Sequence, residues 1–154
     1  MSADTLFASM SMNIMKALIS RYKLLDYQAA GFLGNIGLEC GGFRSLQEAH
    51  PVVAGSKGGY GWCQWTGPRR RNYFAWCDQH KLNPSSYEAN LSFLFSELDG
   101  DYKRVINAAR ATHNIESATE IIMKIYLAPG IPHLDQRISY ARRALTNFRG
   151  QGAS

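Results

Sequence analysis

Asn35-Ile36-Gly37-Leu38-Glu39-Cys40-Gly41-Gly42-Phe43 runs an apolar, glycine-spaced segment into a carboxylate and then a double glycine. The double glycine is a helix stop, because glycine adopts the left-handed conformation in which helices end. Upstream, Asp26 can cap a helix running from about Tyr27 to Cys40. Gly31, Gly34 and Gly37 fall three apart along it. Each glycine inside a helix costs about 1 kcal/mol relative to alanine. Three in one short helix predict that another backbone packs very close to that face.

Outward from this helix the pattern stays helical, with one interruption. Before it, Leu6, Phe7, Met10, Ile14, Ala17 and Leu18 recur at helical spacing, ending near Arg21–Leu24. After it, residues 43–65 alternate Gly55, Gly58, Gly59 and Gly61 with Val, Tyr and Trp. That composition predicts a small irregular sheet or hairpin with its tip at Ala54–Gly59. Thr66-Gly67-Pro68 opens the next helix, with Tyr73, Phe74, Trp76 and Cys77 on its apolar side. Asn83-Pro84-Ser85-Ser86 starts another, which Asp99-Gly100 ends. Tyr102, Val105 and Ile106 mark a short one. Asn114 or Ser117 caps the next, with Ile121, Ile122, Ile125 and Tyr126 inward, until Pro129-Gly130-Ile131-Pro132 stops it. Leu134 to Phe148 reads as a basic final helix with Arg137, Arg142, Arg143 and Arg149. The expected fold is mainly α (α+β), one domain over 1–154, with a small β-hairpin after the Glu39 helix.

Composition is consistent with that. Of 154 residues, 45% are hydrophobic and 19% charged, the balance of a compact globule rather than a disordered chain. Lys and Arg outnumber Asp and Glu by 17 to 12, which favours anionic partners: nucleic acid, acidic wall polymer or lipid head groups. Cys40, Cys63 and Cys77 are too few and odd in number for a disulfide framework, so free thiols are expected. No secretory signal is expected, since Asp4 precedes the first basic residue, Lys16, and Ser9, Ser11 and Asn13 break the apolar run. No stretch reaches the roughly 20 apolar residues of a membrane span.

Two stretches carry candidate chemistry. The helix C-terminus bears partial negative charge, and apolar neighbours disfavour an ionised carboxylate. Both push the expected pKa of Glu39 upward, as a general acid near neutral pH requires. The alternative is an ordinary carboxylate at an exposed helix end. Gly58-Gly59-Tyr60-Gly61-Trp62-Cys63-Gln64-Trp65 combines features that suit a sugar. Its glycines let a ligand approach the backbone, and Tyr60, Trp62 and Trp65 offer flat faces to pyranose rings. Gln64 offers a donor and an acceptor for an N-acetyl group. At least one of the two tryptophans is expected in the core.

In order along the chain come Ala29-Ala30-Gly31-Phe32-Leu33-Gly34-Asn35, Glu39 with Gly42-Phe43, and Gly61-Trp62-Cys63-Gln64-Trp65-Thr66 with Arg70. Phe93-Leu94 with Glu97-Leu98, and Tyr126 with Pro129-Gly130 and Arg137, follow. This arrangement resembles the phage tail lysozyme and related phage endolysin families of the lysozyme-like superfamily. Cys40 departs from the pattern, since a serine commonly follows the catalytic Glu there. The resemblance implies cleavage of peptidoglycan between N-acetylmuramic acid and N-acetylglucosamine. Glu39 would protonate the glycosidic oxygen, and Tyr60, Gln64, Trp65 and Tyr126 would contact substrate. It also implies a monomer with no cofactor or metal. The protein would be carried in the virion, or held in the host cytoplasm until a holin releases it to the periplasm.

A hydrolase needs a second group to activate water. Glu48, entering the expected hairpin, is the candidate, against its alternative as a mere loop carboxylate. Without such a base the same acid serves a lytic transglycosylase, where the sugar's own 6-hydroxyl attacks. Glu97 reads as structural, a buried or semi-buried partner for an arginine. Tyr126 reads equally as a core residue or a cleft residue bonded to a carboxylate. A zinc site built from His50, Cys63 and His80 lacks compact ligand spacing. Cys40 as a nucleophile lacks a local partner. Arg69-Arg70-Arg71 reads as a solvated helix face before a phosphate-binding patch. The basic last helix is a candidate contact to an anionic outer-membrane surface. Remaining rivals are a silent wall-binding or tail structural module and a basic nucleic-acid-binding domain, for which no motif beyond charge is present. No nucleic-acid partner is therefore expected.

Overall fold

The structure, a computed structural model, describes residues 2–48 and 57–152. The described elements are helices α1 (Ala3–Tyr22), α2 (Asp26–Glu39), α3 (Gly67–His80), α4 (Tyr87–Asp99), α5 (Lys103–Arg110) and α6 (Ile115–Ile122). A π-helical turn, Met123–Leu127, continues α6, and α7 (Leu134–Gly152) closes the chain. No described helix is long and apolar enough to cross a membrane.

Local chemistry sets the helix starts. Ser2 caps α1 by accepting from Thr5 N–H, Ser86 caps α4 through Ala89 N–H, and Asn114 caps α6 through Ser117 N–H. Thr66 precedes α3, with proline in its first turn. Asp26 does not cap α2 as expected; it is the first helical residue and pairs with Arg149. Gln28 takes over, its Oε1 accepting from Leu25 N–H at 2.9 Å.

Helix α2 is the axis of the core, buried from Gln28 to Gly37 against α1, α6 and α7. The glycine stripe explains how. A Cβ placed on Gly31 would lie 3.1 Å from the Ala118 and Thr119 backbone of α6. One on Gly34 would lie 2.4 Å from the Arg137 carbonyl oxygen of α7. One on Gly37 would strike the Tyr140 ring at 2.6 Å. The close neighbour predicted from the three-residue spacing is thus two helices, α6 and α7. Elsewhere in the core Trp65, Tyr73, Phe93 and Trp76 pack ring against ring.

The expected β-hairpin does not form among the described residues. Only two isolated antiparallel bridges occur, Gln47 with Tyr60 and Tyr60 with Trp65. Backbone conformation is the reason: Gly41, Gly42, Phe43, Gly58, Gly61 and Gln64 all adopt positive φ, which bends the chain out of extended pairing. Half of the expected tip, Ala54–Gly59, lies outside the described residues, as does His50 of the zinc alternative.

Candidate active site

Glu39 is the last residue of α2, and its side chain is 20% exposed. The surroundings are not purely apolar, as the sequence reading had them. Arg137, from the first turn of α7, places Nη1 2.8 Å from Glu39 Oε2, and its own side chain is only 2% exposed. Arg137 also donates through Nε to Pro132 O at 2.7 Å and through Nη1 to Asn35 Oδ1 at 3.3 Å. Asn35 lies one turn before Glu39. Its Nδ2 donates to Gly31 O at 2.8 Å and Thr119 O at 3.1 Å. Gly34 makes this possible, because any side chain there would hold the Arg137 backbone away from α2.

Beyond Glu39 the chain reverses through three consecutive left-handed residues, Gly41, Gly42 and Phe43, with Gly42 N–H closing on Gly37 O at 2.8 Å. Two of the three are glycines, which adopt that region freely. Phe43 is held there by Phe7 and Trp62, whose rings lie 6.0 and 5.6 Å from its own. Cys40 is buried, its Sγ 3.2 Å from Ile36 O, and burial pushes its thiol up to about 12. That removes it as a nucleophile. All three cysteines are free and buried.

The reversal carries residues 44–48 alongside 58–61. Glu48 N–H donates to Gly59 O at 2.9 Å, and its carboxylate Oε2 accepts from Gly59 N–H at 2.7 Å. The proposed base therefore has a structural duty that the sequence did not reveal. Gln64 donates Nε2 to Leu46 O at 2.6 Å and Gly61 O at 3.0 Å, so its amide hydrogens tie down the turn instead of facing a ligand. Arg70 fastens the same segment from α3, donating to Lys57 O, Gly58 O and Gln47 Oε1 while lying over the Tyr60 ring. Tyr60 is half-buried against Phe74, and desolvation raises its hydroxyl above the ordinary tyrosine value.

Trp65 and Tyr126, expected to contact substrate, are core residues at 1% and 2% exposure. They belong to a second polar cluster. Glu97 accepts from Trp65 Nε1 at 2.9 Å, from Tyr126 Oη at 2.5 Å, and from Arg69 through Nε and Nη2 at 2.9 and 2.7 Å. Arg69 Nη1 also donates to Tyr126 O, and its guanidinium lies 4.2 Å from the Tyr102 ring centre. Burial drives the Tyr126 hydroxyl well above its usual value. Tyr126 does bond a carboxylate, but that carboxylate is Glu97. Glu97 has the arginine partner expected of it, and the 69–71 run divides: Arg69 half-buried in this cluster, Arg70 bonded to the loop, Arg71 exposed.

Three arginines of the last helix have carboxylate partners. Arg142, Arg143 and Arg149 pair with Glu116, Asp4 and Asp26, so these side chains knit α7 to α6, α1 and α2. Among the described residues no group of three His, Cys, Asp or Glu side chains is placed to hold a metal. The sequence reading missed Asn35 and the pairing of Arg137 with Glu39. The available signal was a polar residue, Asn35, set inside the glycine stripe that marks the closest helix contact.

A family model described as phage tail lysozyme matches residues 9–148. No curated protein matches the chain.

Proposed function

The chain belongs to the phage tail lysozyme family, and on that premise we propose that it is a muramidase with Glu39 as its general acid. Its bond would be the β-1,4 linkage from N-acetylmuramic acid to N-acetylglucosamine in peptidoglycan. The observation that carries this reading is the setting of Glu39: a partly exposed carboxyl at a helix end, fixed from behind by a buried guanidinium. Glu39 gives its proton to the glycosidic oxygen as the C–O bond breaks, and positive charge develops at the muramic ring. The carboxylate left behind is born beside Arg137, which stabilises it without rearrangement. Water then adds to the anomeric carbon and loses its proton to a base.

Glu48 is the base in this reading, through the carboxylate oxygen that does not accept from Gly59. Tyr60 lines the sugar path with its exposed edge, and Gln64 shapes that path by holding the turn at Leu46 and Gly61. The enzyme works as a monomer without metal. It is delivered to the wall by the virion or released from the host cytoplasm by a holin.

A specific observation favours a second reading. The Glu48 carboxylate is already engaged with Gly59 N–H. A lytic transglycosylase needs no such base, since the muramic 6-hydroxyl attacks its own anomeric carbon and leaves a 1,6-anhydro end. Mass spectrometry of digested, purified peptidoglycan separates the two. Reducing muramic ends support hydrolysis, and anhydro ends support transglycosylation. No glycan cleavage by the folded protein, or equal cleavage by Glu39→Gln, refutes both.

A further inference from the structure

We propose that Asn35 is a positioning residue for Glu39 and acts through Arg137. This inference rests on Glu39 being the acid. Asparagine is a weak helix former that competes for backbone bonds, yet Asn35 sits buried in the middle of α2. Its carboxamide has one orientation consistent with its partners. Nδ2 donates to two carbonyls, Gly31 O in its own helix and Thr119 O in α6. Oδ1 is thereby left facing α7, where it accepts from Arg137 Nη1. The same Nη1 meets Glu39 Oε2.

Arg137 is consequently fixed from two sides before Glu39 contributes. Pro132 O holds Nε, and Asn35 Oδ1 holds Nη1. A planar guanidinium fixed at two of its nitrogens has its plane and its remaining direction set. Glu39, one turn beyond Asn35 on the same helix, meets a cation whose position its own carboxylate did not determine. Without the Asn35 oxygen the fork keeps its charge but loses one of its two restraints, and the acid loses its alignment. Misplacement of a reacting group by about 1 Å can cost on the order of 100-fold in rate.

The test is a double-variant cycle with two readouts. Asn35→Ala removes the carboxamide. Asn35→Ser keeps a hydroxyl that can bond Gly31 O but is too short to reach Arg137, and so guards against a folding failure in the alanine variant. Both are expected to lower kcat on soluble glycan fragments of peptidoglycan by about 10- to 100-fold, with KM changed less than about twofold. In an Arg137→Gln background the same changes should cost less than about twofold more, because the residue they act through is gone. The second readout needs no turnover. The carboxyl ¹³C resonance of Glu39 should move in Asn35→Ser in the same sense as in Arg137→Gln, and Asn35→Ser should not move it further in that background.

Full kcat in a folded Asn35 variant, losses that multiply in the double variant, or an unmoved Glu39 resonance would each overturn the proposal. If the wild-type protein cleaves no glycan but the resonance coupling is present, the muramidase reading fails while the positioning of Glu39 stands.

Discussion

Replacing Gly34 by alanine sets two effects of opposite sign against each other. Helix propensity alone favours alanine by about 1 kcal/mol. The new Cβ, however, would lie 2.4 Å from Arg137 O, 2.7 Å from Ala141 Cβ and 3.0 Å from Ala141 N. Ordinary contact needs roughly 1 Å more, and two of the three atoms are backbone, so no side-chain rotation relieves the clash. Overpacking typically costs about 1–3 kcal/mol, and a clash with backbone belongs at or above the top of that range. The net expectation is a loss of about 2–3 kcal/mol. At roughly 2–4 °C per kcal/mol for a chain of this size, Tm falls by about 4–12 °C. Because the displaced atom belongs to Arg137, activity should fall further than stability. Urea denaturation with peptidoglycan turnover measured well below the midpoint checks both. An alanine variant as stable as the wild type, or about 1 kcal/mol more stable, would show that the α2–α7 contact is not set by this glycine.

Glu39→Gln should lose about 100- to 10,000-fold in activity while still folded, as removal of a general acid does, and its denaturation midpoint should fall as well, because the buried Arg137 guanidinium loses its carboxylate partner. Cys40, Cys63 and Cys77 should resist a thiol reagent at pH 8 in the native protein, since burial lifts all three thiols, and titrate as three after unfolding. Arg69→Met should destabilise by about 3 kcal/mol, because it leaves the buried Glu97 carboxylate without its cation, a loss readable in urea. The Arg21 hydrogen bond holds the Asp99 carboxyl below the usual carboxylate range. A depressed carboxylate stabilises above its unfolded value, near pH 4, and that contribution is lost as pH falls through the lower, folded value. Wild-type stability should therefore fall more steeply than that of Arg21→Ala below about pH 4. The difference should be small, because the pair is nearly half exposed.

What was legible in the sequence depended on whether the signal was local. The glycine stripe announced a close helix contact because a missing Cβ is visible in the residue names, and the structure returned two such contacts. The Asn114 cap and the proline stop were legible for the same reason, whereas Asp26 turned out to be the first residue of α2 and not its cap. The Glu39–Arg137 pair was not. Periodicity grouped Arg137 with the other α7 arginines as one basic face, although its neighbours Arg142 and Arg143 are exposed while it is buried. The difference arises from contacts with Asn35, 102 residues away in sequence. Trp65 and Gln64 misled because a glycine- and aromatic-rich turn has the same composition whether its rings face a sugar or a core. Only the left-handed backbone at Gly61 and Gln64 decides which way they point.

The pairing of Glu39 and Asn35 with Arg137 also governs when the site is complete. Arg137 leaves the ribosome 102 residues after Asn35. Contacts that close such long loops form late and slowly. A nascent or truncated chain that stops before α7 exposes the glycine face of α2 and carries an unpaired Glu39. A site assembled in this order stays incomplete until α7 has been made and packed against α2.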